Sequence, residues 1–168
     1  AILFGVSMGL HDEREWGTLP RLLIAPAGFT WMLLGKLGAR FVLGFVQLVL
    51  LLLWVHLIFG VSLGPSATAF LLLCAMIVFC CVTLGLVVGA LAKTREQSPP
   101  IALGFMMVWS GMGGLFWPPD MTPGWTRTAA DGFFTTWAMR GMNDLVLRDE
   151  GLAEIAGTIG VLFLFGLA

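Results

Sequence analysis

The chain has 168 residues, of which 58% are hydrophobic and only 11% charged, with a net charge of −1. A soluble domain carries roughly 25% charged residues, so this composition excludes an ordinary cytosolic globular enzyme and points to an integral membrane protein. The near-zero net charge also excludes the broad basic field that holds nucleic acid.

Residues 1–10 read as the end of a membrane helix; they are too short, and lack the basic flank, to be a signal peptide. The apolar first and last residues lead us to expect a fragment of a longer subunit, with at least one helix before Ala1. His11–Lys36 is polar to amphipathic. No Asp, Glu, Lys or Arg occurs among the 52 residues between Arg40 and Lys93. A bilayer crossing takes about 20 apolar residues, so this stretch predicts two spans, Leu37–Gly60 and Ala67–Ala92, joined by a tight turn at Gly64-Pro65. Lys93–Pro100 is a short charged loop, Ile101–Trp117 a third span, residues 118–151 a longer polar loop with apolar patches, and Leu152–Ala168 a last span. Continuous apolar runs without barrel-type alternation predict helices throughout. The fold expected is therefore all-α, a polytopic transmembrane bundle of about five spans.

Segment 11–40 carries Arg14, Arg21, Lys36 and Arg40, and the loop 93–98 carries Lys93 and Arg95. The bias of Lys and Arg toward the cytoplasm puts both segments inside. The Gly64-Pro65 turn and residues 118–151 then lie outside, with Trp54, Trp117 and Trp125 near the outer interface.

Within the cytoplasmic segment, Trp16, Leu19 and Leu23 recur at helical spacing, while Glu13, Arg14, Thr18 and Arg21 can face water. Pro20 divides this stretch into two short helices. On the residues alone, it is either an interfacial helix on the inner leaflet or a helix set into a groove of a soluble partner.

Four ordered pieces resemble the permeases of type-2 ABC exporters, such as those for daunorubicin resistance and nodulation-factor export. The first is Glu13-Arg14-Glu15 with Gly17-Thr18-Leu19, Arg21-Leu22-Leu23 and Pro26, followed by Leu34-Gly35-Lys36. The others are Ala92-Lys93-Thr94-Arg95-Glu96-Gln97, then Phe116-Trp117-Pro118-Pro119 with Pro123-Gly124-Trp125, then Thr135-Thr136-Trp137-Ala138-Met139-Arg140-Gly141 with Asn143-Asp144-Leu145. Pro20 and Phe134 depart from the family pattern. The resemblance implies a six-helix permease subunit in a bacterial inner membrane, paired with a second permease subunit, identical or different, and with ABC ATP-binding subunits. It also implies that residues 11–36 form a cytoplasmic coupling segment. By this carry-over Glu13, Arg14, Glu15, Gly17, Thr18 and Leu19 contact the ATPase. Outward movement of an amphipathic, lipid-like, drug or glycan-containing substrate is implied in the same way.

The chain itself lacks nucleotide chemistry. Its one Gly-Lys pair, Gly35-Lys36, has Thr30 where a phosphate loop needs its first Gly and Leu37 where it needs a hydroxyl. ATP and Mg are thus expected on the partner, with no cofactor, metal or catalytic residue on this chain. His11 and His56 have no metal-ligand spacing. Cys74, Cys80 and Cys81 read as small apolar residues of a span. Gln47 is a candidate for the transport path or for a helix contact, and Gly85-x-x-x-Gly89 for close helix approach. Ion-coupled carriers usually keep charge at membrane depth, and the spans from Phe41 to Ala92 and Ile101 to Trp117 have none. An anchor that holds a soluble partner without transporting, or an ion-coupled carrier, stays open as the alternative.

Overall fold

The computed structural model describes residues 2, 5–9, 28–61, 63, 64, 66–92, 94–113, 130–148 and 151–167. Every α-helix, strand or 3-10 element among them is helical: α1 (Gly28–Phe59), α2 (Ala67–Leu91), α3 (Ser98–Met112), α4 (Phe134–Leu147) and α5 (Leu152–Leu167), with residues 5–9 helical as well. The protein is an all-α transmembrane bundle. Trp31–Phe59 and Ala67–Leu91 are long and apolar enough to cross a bilayer. At 15 and 16 residues, α3 and α5 are shorter than the roughly 20 residues of a full crossing.

The first long helix begins at Gly28, nine residues before the expected Leu37. Residues 28–36, assigned above to the coupling segment, therefore continue α1. Its 32 residues extend about 48 Å at 1.5 Å per residue, longer than the bilayer core. Lys36 and Arg40 did not end the helix because long basic side chains ride on a helix at the interface without disturbing its backbone. Termination comes from Gly60, which adopts φ 63° and donates its N–H to the carbonyl of His56 at 2.9 Å. This left-handed cap favours glycine. His56 Nδ1 also bonds the carbonyl of Val61 at 2.6 Å; since a carbonyl only accepts, Nδ1 carries the proton. The turn closes with Ser66, whose Oγ accepts from Ala69 N at 3.4 Å and caps α2.

Pro99 and Pro100 lie in the first turn of α3. There a missing N–H costs no helical bond, so the helix starts at Ser98 and not after the prolines.

α2 is the centre of the bundle. Its Ala69, Phe70, Leu73, Cys74 and Cys80 form the core with Phe134 and Leu145 of α4 and Ile155 and Leu162 of α5. α5 runs alongside α2 in the same direction: Thr158 lies level with Leu73 across Gly141, the Cys80 thiol donates to the Leu162 carbonyl at 3.1 Å, and Gly166 abuts Phe79. Ile2 and residues 5–9 follow α1 toward its N-terminal end, with Ile2 against Gly44 and Lys36 Nζ donating to the Gly9 carbonyl at 3.4 Å. Val6 joins Val78 and Val82 in a second buried cluster.

Residues 118–151 read as an external loop whose apolar patches can fold into short helices, and within it 134–147 form a helix with Phe134, Thr136 and Leu145 buried. Its C-terminal end is tied to the α1–α2 turn, because Gly64 (φ 85°) leaves no room for a Cβ beside the Leu145 carbonyl. Its N-terminal end lies by Cys81 and Leu84, about 20 Å along α2 from that turn. So α4 rises from the middle of the bundle to the level of the turn, and α5 descends again from there. Arg140 and Asp144 lie on the polar side of α4, and its apolar face decides the packing.

Candidate functional site

Where α4 reaches its deepest point, α1, α2, α3 and Ile2 leave a cleft of about 290 Å³. Its walls are Gly44, Leu48 and Leu51 of α1, Cys81 and Leu84 of α2, and Phe105, Met106 and Trp109 of α3, closed by Phe134. Three strongly polar side chains enter it: Gln47, Ser110 and Thr135. Trp109 anchors the aromatic wall, stacking on Phe105 with centroids 4.9 Å apart and meeting Phe133 edge-on at 5.3 Å. Such geometries are favoured by ring quadrupoles.

The mouth of α4 is held by its own polar residues. Thr135 Oγ1 donates to the Trp109 carbonyl at 2.7 Å, and Thr136 Oγ1 donates to the Ala130 carbonyl at 2.6 Å. Trp137 Nε1 donates to the Asp131 carbonyl at 2.9 Å, while Arg140 pairs with the Asp131 carboxylate at 2.5 Å and covers the Trp137 ring at 5.1 Å. The Thr-Thr-Trp-x-x-Arg string thus ties the helix start to the preceding turn and to α3. This satisfies backbone acceptors of the turn and of α3.

Of the residues singled out in the sequence, Gln47 lies in the cleft and has no hydrogen-bond partner among the described residues. Gly85 and Gly89 are both buried on α2, outside the cleft lining. Glu13, Arg14, Glu15, Gly17, Thr18 and Leu19 lie outside the described residues, as do Phe116 to Pro119 and Pro123 to Trp125. The three cysteines are free thiols. No group of metal-ligating side chains occurs among the described residues. Trp109, Ser110 and Thr135 were not anticipated as neighbours. Thr135 stood in a recognised string, but nothing local links it to α3.

A bundle of largely apolar helices around a central α2, with a side cleft, fits a membrane permease. The chain belongs to the ABC-2 family of transporter proteins, which matches it over residues 1–168. It is 28% identical over 163 residues to the linearmycin resistance permease protein LnrN of Bacillus subtilis, covering 97% of this chain and 42% of that protein. It is 25% identical over 146 residues to ABC transporter G family member 20 of Dictyostelium discoideum, covering 87% of this chain and 20% of that protein. The chain therefore spans less than half the length of these curated relatives. No solved structure matches it significantly.

Proposed function

We propose that the chain is the membrane-spanning part of an ATP-driven exporter in a bacterial cytoplasmic membrane. ATP and Mg are bound and the nucleotide hydrolysed on a separate subunit. The cargo is an amphipathic molecule, drug-like or lipid-like, moved outward. The observation that carries this reading is the cleft: apolar and aromatic walls with Gln47, Ser110 and Thr135 as isolated polar points. Ligand sites are commonly built this way, at about 300–1,000 Å³. At about 290 Å³, the cleft fits an alkyl or ring portion of such a cargo. A relative named for linearmycin resistance supports efflux of a toxic compound. Residues 11–36 carry the push from the ATPase, through Glu13, Arg14, Glu15, Gly17, Thr18 and Leu19, and a second permease subunit completes the pathway.

The test is reconstitution of the full-length permease with its ATPase in liposomes. Loss of a fluorescent amphiphile from the ATP-facing side should require ATP and persist after ionophores abolish ion gradients. Substitution of Glu13 or Gly17 should lower both ATPase co-purification and ATP-dependent transport. Flux driven by a gradient without ATP would overturn the reading in favour of an ion-coupled carrier, and ATPase binding without any flux would leave an anchor.

A further inference from the structure

We propose that the groove between residues 5–9 and α1 binds the headgroup of an anionic phospholipid, with the Arg40 guanidinium as its phosphate ligand. The groove holds about 140 Å³ and is lined by Gly5, Val6, Gly9, Leu37, Lys36 and Arg40 among others. Its shape is set by two glycines one turn apart. A Cβ on Gly5 would stand 2.7 Å from Arg40 Nη1, and one on Gly9 3.8 Å from Nη2. The guanidinium thus lies across the bare backbone, and any side chain at residue 5 would displace it.

Arg40 has no ion-pair or hydrogen-bond partner among the described residues. Two of the described carboxylates are used elsewhere, Asp131 by Arg140 and Asp144 by Arg148, and Glu154 accepts from Gly151 N. One turn away, Lys36 holds the Gly9 carbonyl and adds a second positive charge to the same wall. A guanidinium offers paired donors that match a phosphodiester.

Depth selects a lipid over a soluble anion. Arg40 is 19 residues from Phe59, about 28 Å along the helix, against a hydrocarbon core of about 30 Å. With the Gly60–Ser66 turn at the outer surface, the guanidinium arrives at the level of the inner-leaflet phosphates. Basic grooves between helices at the cytoplasmic face are where anionic headgroups bind.

The test is native mass spectrometry of the full-length permease titrated with phosphatidylglycerol, with phosphatidylcholine of the same chains, and with glycerol 3-phosphate. Phosphatidylglycerol should be retained at one site more tightly than phosphatidylcholine, by about fivefold from one basic residue at the surface. Arg40→Gln should remove that preference, and Arg40→Lys should keep part of it while showing that the fold is intact. Gly5→Leu should weaken it with Arg40 still present. Equal phosphatidylglycerol binding by Arg40→Gln and wild type, or no preference over phosphatidylcholine in the wild type, would overturn the site. Retention of glycerol 3-phosphate as strong as that of the lipid would overturn the lipid assignment.

Discussion

Thr135 donates its hydroxyl to the backbone carbonyl of Trp109 at 2.7 Å, and so fastens the first turn of α4 to the last turn of α3. The same carbonyl accepts the Gly113 N–H at 2.9 Å. One oxygen therefore serves both helix ends at the floor of the cleft. Gly113 is placed so that a methyl group there would occupy the space of the Thr135 hydroxyl.

This contact makes two substitutions interdependent. Gly113→Ala is expected to cost about 1–3 kcal/mol through overpacking, and Thr135→Ala about 1 kcal/mol through the lost hydrogen bond. The double variant should cost less than the two together, because the nearest clash goes with the hydroxyl, while the residue 135 Cβ and the Trp109 carbonyl still crowd the methyl. Reversible unfolding in mixed micelles measures all three. Simple additivity would show that the two residues do not touch.

Burial of α4 gives a second expectation. Leu145 is 0% exposed, whereas Leu57 on α1 is 78% exposed. Leu145→Ala should leave a cavity and cost about 2–5 kcal/mol, as buried leucines do. Leu57→Ala, on a surface already open to lipid, should cost well under 1 kcal/mol. Equal, small effects in the same unfolding assay would mean that α4 lies loosely outside the bundle.

How far these features could be read from the chain differs by residue. α2 was legible almost to its ends, because an unbroken apolar run is bounded by Ser66 and by the charged loop at Lys93. The Gly-Pro reversal was legible too, although its cap is Gly60 and its close approach is Gly64 against Leu145. The start of α1 was misplaced because Lys36 and Arg40 are polar without breaking a helix. The packing of α4 was only partly legible, because Arg140 and Asp144 signal solvent, while Phe134, Gly141 and Leu145 on its other side signal core. Neither signal alone gives depth. The cleft was the least legible feature: Gln47, Trp109 and Thr135 come from three helices, and no local period reports their meeting.

The Asp131–Arg140 pair should be modest in strength. Its side chains are 48% and 44% exposed at a separation of 2.5 Å, and such pairs contribute about 0.2–1 kcal/mol after screening. Arg140→Gln also loses the ring contact with Trp137, itself about 0.5–1 kcal/mol. A double-mutant cycle with Asp131→Asn should therefore give a coupling below about 1 kcal/mol, with Arg140→Gln the costlier single change. Raising the salt concentration should shrink the coupling. A coupling that salt leaves unchanged would place the pair in lipid, away from water.

Gln47 separates transport from folding. Its amide stands in the cleft with no hydrogen-bond partner among the described residues, so Gln47→Leu removes no internal bond and should change stability by no more than about 0.5 kcal/mol. A cargo that bonds the amide would lose that contact. Because Gln47 is exposed in an open cleft, the lost bond is an ordinary one of about 1 kcal/mol, and transport of a hydrogen-bonding amphiphile should drop about fivefold. A purely hydrocarbon analogue should be moved as well as before or better. Trp109→Ala should impair both, since it takes away the aromatic wall they share. ATP-dependent flux of the paired analogues through wild type and Gln47→Leu reads this directly. If both analogues lose flux equally on Gln47→Leu, the amide is shaping the helices and not the cargo.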